Sequence, residues 1–433
     1  MSYNDKFYSI ILLIAVFGGW AAVGLDVTLT GFLAPQLYST FRVSSLSEPS
    51  LLFGIGDGIG AFIFGLINDR LWGRKLTFMM TILGTMIMTG LSATSINWAM
   101  YSSIRFLAGI FTGGEMTAGW VILAESIPNN IRSTFLSISQ GGISLGYALA
   151  AVFSGTFASA TALGWRWAYI GSALFALIIF GIRVGIRESP YWQKVASTIK
   201  NEFQKELAEK ASNRQAISEM FKRQYLFPTV LILVTFAFMM FATSPKDFYY
   251  PSWYYQGGIT GVSISASAIT FAFIGFAIGQ FVANLVEGFI MDKIGARKAV
   301  LIPLGLIPAV LLMWFIPINI SVYLDFTILF IVAFFFQTAW GFMPAYLPAV
   351  YPTRIRHTAV GLVWAITYGV FYSLSAYIFG GLVSVHNWAP IFISQMIGYA
   401  VFAIGLALLG LEIKGKSLDF LESQKEVQKS RTE

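Results

Sequence analysis

Apolar runs of about 20 residues alternate with short polar stretches along almost the whole chain. A window of about 19 residues places the runs at 9–35, 51–68, 76–96, 99–124, 137–160 and 166–186, then at 226–247, 266–290, 298–318, 322–346, 358–383 and 388–411. A helix needs roughly 20 apolar residues to cross about 30 Å of hydrocarbon, so each run predicts one membrane-spanning α-helix. One longer polar stretch breaks the rhythm. It divides the chain into an N-terminal six-helix bundle (1–186), a cytoplasmic linker (187–225), a C-terminal six-helix bundle (226–411) and a cytoplasmic tail (412–433). Within the linker, "NEFQKELAEK" sets Glu202, Glu206 and Lys210 at helical spacing, which predicts a short surface helix.

Composition agrees with a lipid solvent. Hydrophobic residues make up 56% of the chain and charged residues 11%, against about 25% charged in a soluble domain. The formal charge of +7 is read as cytoplasmic loops, so nucleic acid is excluded as a partner. With the N-terminus inside, every Lys and Arg except Arg42, Arg105, Arg166 and Lys246 falls in an inner segment. This bias puts both termini in the cytoplasm and the protein in the plasma membrane. The start "MSYNDKFYSIILLIAVFGGW" runs on into apolar sequence without a small-residue cleavage site, so it reads as a retained first span. There is no cysteine, which removes disulfides, thiolate zinc sites and thiol catalysis. No G-x-x-x-x-G-K-[ST] pattern or catalytic constellation is present. The reading is therefore no enzyme and no cofactor.

The two halves share a signature. "GLINDRLWGRK" (65–75) and "GFIMDKIGARK" (288–298) match at Gly65/Gly288, Asp69/Asp292, Gly73/Gly295, Arg74/Arg297 and Lys75/Lys298, with Gly73 shifted by one residue. The aspartates stand 223 residues apart. A second pair of motifs, "IPNNIRST" with Pro128 and Arg132 and "YPTRIRHT" with Pro352 and Arg356, repeats at an offset of 224. Two unrelated motifs at one offset indicate duplication of a six-span unit. An even number of spans per unit makes the repeats parallel, related by an axis along the membrane normal.

Over nearly its full length the chain resembles the major facilitator superfamily, whose loop between the second and third spans carries a Gly-x-x-x-Asp-Arg-x-Gly-Arg-Arg/Lys pattern. "RFLAGIFTGGEMTAGWVILAESIPNNIRST" resembles the sialate/lactate and metabolite–proton symporter groups at Arg105, Gly113, Gly114, Glu115, Glu125, Pro128 and Arg132. Their "ESP-x-W" exit from the sixth span is matched by Glu188, Ser189, Pro190 and Trp192. At the end of the seventh span, Asp247, Tyr250 and Pro251 align with a lactate-type Thr-Gln-Asp-x-Tyr-Pro sequence. There the chain departs by carrying Lys246 for the glutamine and lacking the family's histidine. The resemblance implies two six-helix bundles that rock about a midplane site.

Charge inside a span costs roughly 2.5 to 3.5 kcal/mol on insertion scales, so each such residue is a functional candidate. Asp26 lies mid-span in "AAVGLDVTLTGF" and is the first proton-coupling candidate, with Glu115 and Asp247 in reserve. Burial favours the neutral form of a carboxyl, which suits a proton carrier. Asp57, among Gly54, Gly56, Gly58 and Gly60, is placed near the outer mouth, with those glycines read as close helix packing. Arg105 is the cation expected to meet a substrate carboxylate, with Lys246 second. Tyr147, Gln280, Gln337, Trp340, Tyr368 and Gln395 are expected to line the cavity. Asp69, Arg70, Arg74, Lys75, Glu125, Arg132, Glu188, Glu287, Asp292, Arg297 and Arg356 are expected to latch the two halves at the cytoplasmic face. The alternative for the charged loops is topology alone.

These observations predict a monomeric secondary transporter in the lipid bilayer. Its expected partners are protons and a small organic acid, moved by proton-coupled symport. A sugar or other metabolite porter of the same fold, symporter or antiporter, is the alternative. A non-transporting membrane receptor or sensor stands behind it.

Overall fold

The computed structural model describes residues 3–68, 72–128, 131–158, 161, 163–189, 193, 220–318, 320–351 and 356–410. Asp69, Arg70, the surface helix expected at 201–210 and the tail 412–433 lie outside the described residues, as do Pro190, Trp192 and Pro352. The side chains of Arg132 and Arg356 are also outside them.

Twelve helices are long and apolar enough to cross a membrane. They are α1 (Tyr8–Phe32), α2 (Ser47–Ile67), α3 (Gly73–Ser92), α4 (Trp98–Ser126), α5 (Ser133–Phe157) and α6 (Gly164–Val184), followed by α7 (Tyr225–Phe248), α8 (Ala266–Ile294), α9 (Ala296–Phe315), α10 (Val322–Met343), α11 (Ala359–Ser384) and α12 (Ala389–Leu409). All twelve apolar runs of the sequence are found. Leu174, Ile178, Phe289 and Leu408 point outward with more than half their surface bare, as lipid-facing side chains do. Helices suit this solvent because every backbone group is satisfied within the segment.

Packing repeats with a step of six. In the first half α1 packs on α5 and α6, α2 on α4, and α3 on α4 and α6. In the second half α7 packs on α11 and α12, α8 on α10, and α9 on α10 and α12. Across the halves α2 meets α11 and α5 meets α8, a pair of contacts that exchange under the same step. The bundle is therefore two copies of one six-helix arrangement related by a pseudo-twofold axis.

The shared loop glycines have a conformational cause. Gly73 has φ +80° and Gly295 has φ +93°, a region that side chains with a Cβ rarely adopt. Each glycine turns the chain into the next span, and this is required despite the one-residue shift between the motifs. Close helix approach explains others. A Cβ on Gly113 would lie 1.8 Å from the Asp57 carbonyl oxygen, so α2 and α4 touch backbone to backbone.

Both ends of the bundle are closed. At the inner end, where α1 starts and α12 stops, a Cβ on Gly288 of α8 would lie 2.8 Å from Ser137 Cβ of α5. At the outer end, a Cβ on Gly31 would lie 2.7 Å from the Phe248 carbonyl oxygen.

Gly113→Ala should separate α2 from α4 and lower the unfolding temperature of the purified protein. Overpacking of this kind costs about 1–3 kcal/mol. An unchanged unfolding temperature would show that the two backbones have room to move apart.

Candidate functional site

One cavity of ≈ 40 Å³ lies between the halves. It holds a few waters at most, so a solute enters only when the halves part. Its walls come from α1, α2, α4 and α5 on one side and α7, α10 and α11 on the other. Of the residues expected to line it, Tyr147, Gln337, Trp340 and Tyr368 do so, and the reserve proton candidate Asp247 lies beside them. Gln280 and Gln395 are fully buried away from it, with the Gln395 carbonyl oxygen accepting from the Tyr250 hydroxyl at 2.9 Å.

The charged part of the wall is formed by the last turn of α7. Pro245 lacks an N–H, so it frees the carbonyl one turn earlier, on Phe241. The Ser375 hydroxyl of α11 donates to that carbonyl at 2.5 Å, which ties the broken turn to its neighbour. Lys246 and Asp247 follow directly. Lys246 Nζ donates to Asp247 Oδ1 at 2.6 Å and to the Tyr147 hydroxyl at 3.2 Å. Tyr147 also donates to Asp247 Oδ1, and Tyr372 donates to Oδ2 at 2.9 Å. Lys246, counted among the outer charges and placed second to Arg105 as the substrate cation, is 3% exposed and faces the cavity, with its ammonium 5.0 Å from the Tyr147 ring centre and 5.9 Å from that of Trp340. Its aliphatic stem makes the inward position possible, because the α7 turn aims it at Asp247.

Asp57 also departs from expectation. It lines the cavity rather than the outer mouth and accepts from Trp364 Nε1 of α11 at 2.6 Å. The glycines around it let α11 come close enough, since a Cβ on Gly58 would lie 2.5 Å from Gly369 Cα. Gly369 belongs to a π-helical segment, Thr367–Tyr372. Such segments interrupt α-helices mostly at functional sites. On this stretch Trp364, Tyr368 and Tyr372 stack in sequence, with ring centres 4.8 and 3.9 Å apart and planes within 15°. The ladder joins the two cavity acids, Asp57 at its Trp364 end and Asp247 at its Tyr372 end.

The first proton and substrate candidates form a pair of their own. Arg105 grips Asp26 through Nη1 to Oδ1 at 2.7 Å and Nη2 to Oδ2 at 2.9 Å, and the Thr89 hydroxyl donates to Oδ1 at 2.7 Å. Both residues are at most 1% exposed, and neither lines the cavity. The Arg105 guanidinium lies 4.7 Å from the Phe53 ring centre. In this state Arg105 is therefore committed to Asp26 and does not meet a solute. Glu115 is paired likewise, in a two-pronged bridge with Arg183 of α6, and takes a hydrogen bond from Thr81 at 2.8 Å. Arg183 went unremarked in the sequence because it lies beside Arg187, in a stretch read as inner loop charge. Its place seven residues before Pro190, the linker's first proline, and inside an apolar run, was the available signal.

At the inner end the described charges divide by half. Arg74 binds Glu125 at 3.1 Å and the Asn68 carbonyl at 2.9 Å. Glu188 accepts from the backbone N–H groups of Arg74 and Lys75 at 3.0 and 3.2 Å, which caps the start of α3. Lys75 Nζ reaches the Val184 carbonyl. All of these bonds between described residues stay within the first half. The bond across the halves comes from Asp292, whose Oδ2 accepts from the Thr134 N–H at 2.9 Å and hydroxyl at 2.6 Å. Thr134 stands in the first turn of the helix Arg132–Gln140, where exposed N–H groups favour an anion. Arg297 is exposed, and Glu287 is fully buried between α8, α5 and α10.

Comparison with known proteins gives a consistent picture. A family model described as Major Facilitator Superfamily matches residues 12–363. NiaP of Bacillus subtilis (strain 168), named for niacin/nicotinamide transport, is 27% identical over 392 residues, covering 90% of this chain and 91% of its own. The sialic acid transporter NanX of Escherichia coli (strain K12) is 26% identical over 424 residues, covering 93% and 94%. The solved structure of the proton:xylose symporter XylE superposes with a TM-score of 0.76 at 17% identity, over 97% of this chain and 99% of that one. It shares the fold.

Breaking a buried ion pair from one side costs about 3–5 kcal/mol because the other charge is stranded. Arg105→Gln and Asp26→Asn should each destabilise the protein by about that much, and the double variant by clearly less than their sum. A denaturation double-mutant cycle checks this. Additive losses would mean the pair is not coupled.

Proposed function

Because the chain belongs to the Major Facilitator Superfamily, we propose that its central cavity carries a small organic acid across the membrane together with one proton. The observation that carries this reading is the Lys246–Asp247 pair in the cavity wall. In the empty site the two charges cancel. A substrate carboxylate entering the cavity competes with Asp247 for Lys246. If it wins without a proton, the closed cavity holds one ammonium and two carboxylates, a net negative charge in a poorly screened space. A proton on Asp247 restores neutrality. Asp57 is common to both, so the loaded and empty sites then carry the same net charge and both are able to close, whereas the half-loaded site is not. Coupling follows from that exclusion.

This reading moves the proton from Asp26 to Asp247 and the substrate cation from Arg105 to Lys246. Asp26 and Arg105 become each other's fixed counter-charge. The aromatic wall of Trp20, Tyr147, Trp340, Trp364 and Tyr368 suits a solute with a ring, since stacked and edge-on aromatic contacts each contribute about 0.5–1.5 kcal/mol beyond burial. The relatives support the substrate class, because niacin and sialic acid, for which they are named, both carry a carboxylate. The inner end carries Arg74, Lys75, Arg187, Lys222, Lys293 and Arg297, and this bias supports a cytoplasmic inner face, hence both termini inside and residence in the plasma membrane as a monomer. The two bundles are the moving units, with the stretch 187–225 between them.

Uptake into reconstituted vesicles tests the proposal with monocarboxylates, sugar acids and neutral sugars under an imposed pH gradient. One proton per carboxylate is electroneutral, so each pH unit should sustain up to about tenfold accumulation. Lys246→Gln should lose carboxylate uptake. Asp247→Asn, fixed in the neutral form, should still exchange substrate but not accumulate it. Preference of the wild type for a neutral sugar, or full accumulation by Asp247→Asn, would overturn the reading.

A further inference from the structure

Glu287 stands apart from the other acids placed deep in the spans above. Asp26, Glu115 and Asp247 each hold a cation, and Asp57 accepts from an indole. Glu287 is 0% exposed, and neither of its carboxyl oxygens has a hydrogen-bond partner. It lies where the two halves close at the inner end. A Cβ on Gly341 of α10 would lie 2.8 Å from Glu287 Cγ, and one on Gly288 would lie 2.8 Å from Ser137 Cβ of α5. The glycines thus leave room for the acid between α8, α5 and α10.

Among the described residues, the charged and titratable groups around it offer no counter-charge. On α8 itself, Asp292 is occupied by Thr134, and Lys293 is exposed with its ammonium 5.3 Å from the Phe289 ring centre. Beyond the turn, Arg297 and Lys298 are exposed. Tyr346 follows on the α10 helix, and the side chain of Arg132, at the head of the facing helix, lies outside the described residues. The facing α5 turn otherwise presents Ser133, Thr134 and Ser137. The repeat does not demand an acid here either: the position 223 residues earlier is Phe64.

A polar seam connects this place to the cavity. Gln337 lines the cavity and donates to the Asn284 side-chain oxygen at 3.4 Å, and Asn284 lies one turn before Glu287 on α8. One turn earlier again is Gln280, buried with both amide atoms unpartnered. A chain of polar side chains, Gln337, Asn284 and Gln280, thus runs from the cavity towards Glu287 at the inner interface.

We propose that Glu287 is a proton-binding residue of the inner closure, holding a proton while the halves are shut and releasing it to inner water when they part. An ionised carboxylate with no partner is too costly to seal between apolar helices, whereas the neutral acid is far less so. On opening, water reaches the seam between α8 and α5. The carboxyl O–H bond breaks, its electron pair stays on the carboxylate, and the proton passes to water. Reclosing requires a proton to return. Inner acidity therefore holds the carrier shut on that side, and inner alkalinity holds it open. This rests on the alternating-access reading above but not on the identity of the solute or on Asp247.

The chain has no cysteine, so a single Ser133→Cys probe at the interface reports inner opening by its reaction with a membrane-impermeant maleimide. Ser133 is buried, and its carbonyl faces Gly288. The labelling is measured in reconstituted vesicles with no solute and no gradient, across a range of inner pH. The same probe in a Glu287→Gln background cancels the thiol's own pH dependence. The ratio of the two labelling rates should rise with pH by up to about tenfold per unit, the limit for one linked proton. Glu287→Asp should keep the dependence. If Glu287→Gln fails to fold, Glu287→Met supplies the same fixed neutral side chain. A ratio that does not change with pH would overturn the proposal, whatever the uptake screen finds. A rising ratio would sustain it even if the solute proves to be neutral.

Discussion

A charge inside a lipid-bound helix bundle has no water to turn to, and most of this structure follows from how each one is matched. Asp26 is held by Arg105, Glu115 by Arg183 and Asp247 by Lys246. The three pairs differ in what surrounds them. The first two are sealed between helices of one half. They tie α1 to α4 and α4 to α6, and they give the first bundle the rigidity of a body that moves as a unit. The third pair faces the cavity, where a solute can compete for either member. A pair that can be broken by a ligand is a site; a pair that cannot is part of the frame.

The second half is built on the same plan but carries its charges differently. Its loop aspartate, Asp292, reaches across to the head of the helix Arg132–Gln140, while the arginine of the first loop, Arg74, turns back into its own bundle. At the cavity the halves also meet through Asp57 with Trp364 and through Tyr147 with Lys246 and Asp247, and beside it through close glycine approaches, Gly58 against Gly369 and Gly54 against Ser373. The α11 helix combines both functions. Its π-helical turn brings three stacked rings between Asp57 and Asp247, so a movement of α11 is felt at both acids.

The twelve spans were legible because each must be apolar over a length set by the bilayer, and the repeat was legible because the turns at Gly73 and Gly295 need the same backbone geometry. The chemistry of the site was only partly legible. Asp26 was conspicuous as an acid deep in an apolar run, but its partner lies 79 residues away. Depth along a helix can be read from sequence, whereas the direction a side chain faces depends on neighbours brought in by packing. The same limit ranked Lys246 behind Arg105 and set Asp57 at the outer mouth: each lies near a span end or a glycine cluster in sequence, and each is turned inward by the helix beside it. Tyr147, Gln337, Trp340 and Tyr368 were found as polar or aromatic residues inside spans, where such groups need a reason to be. Trp364 and Tyr372 were lost among the 16% of residues that are aromatic.

The central claim is that a carboxylate on Lys246 and a proton on Asp247 arrive together. Counting protons as solute binds tests it without transport, gradients or variants. Purified protein in weakly buffered solution, titrated with the carboxylate it prefers and followed by a pH indicator, should take up about one proton per molecule bound. Saturable binding of that carboxylate with no proton taken up would contradict the account.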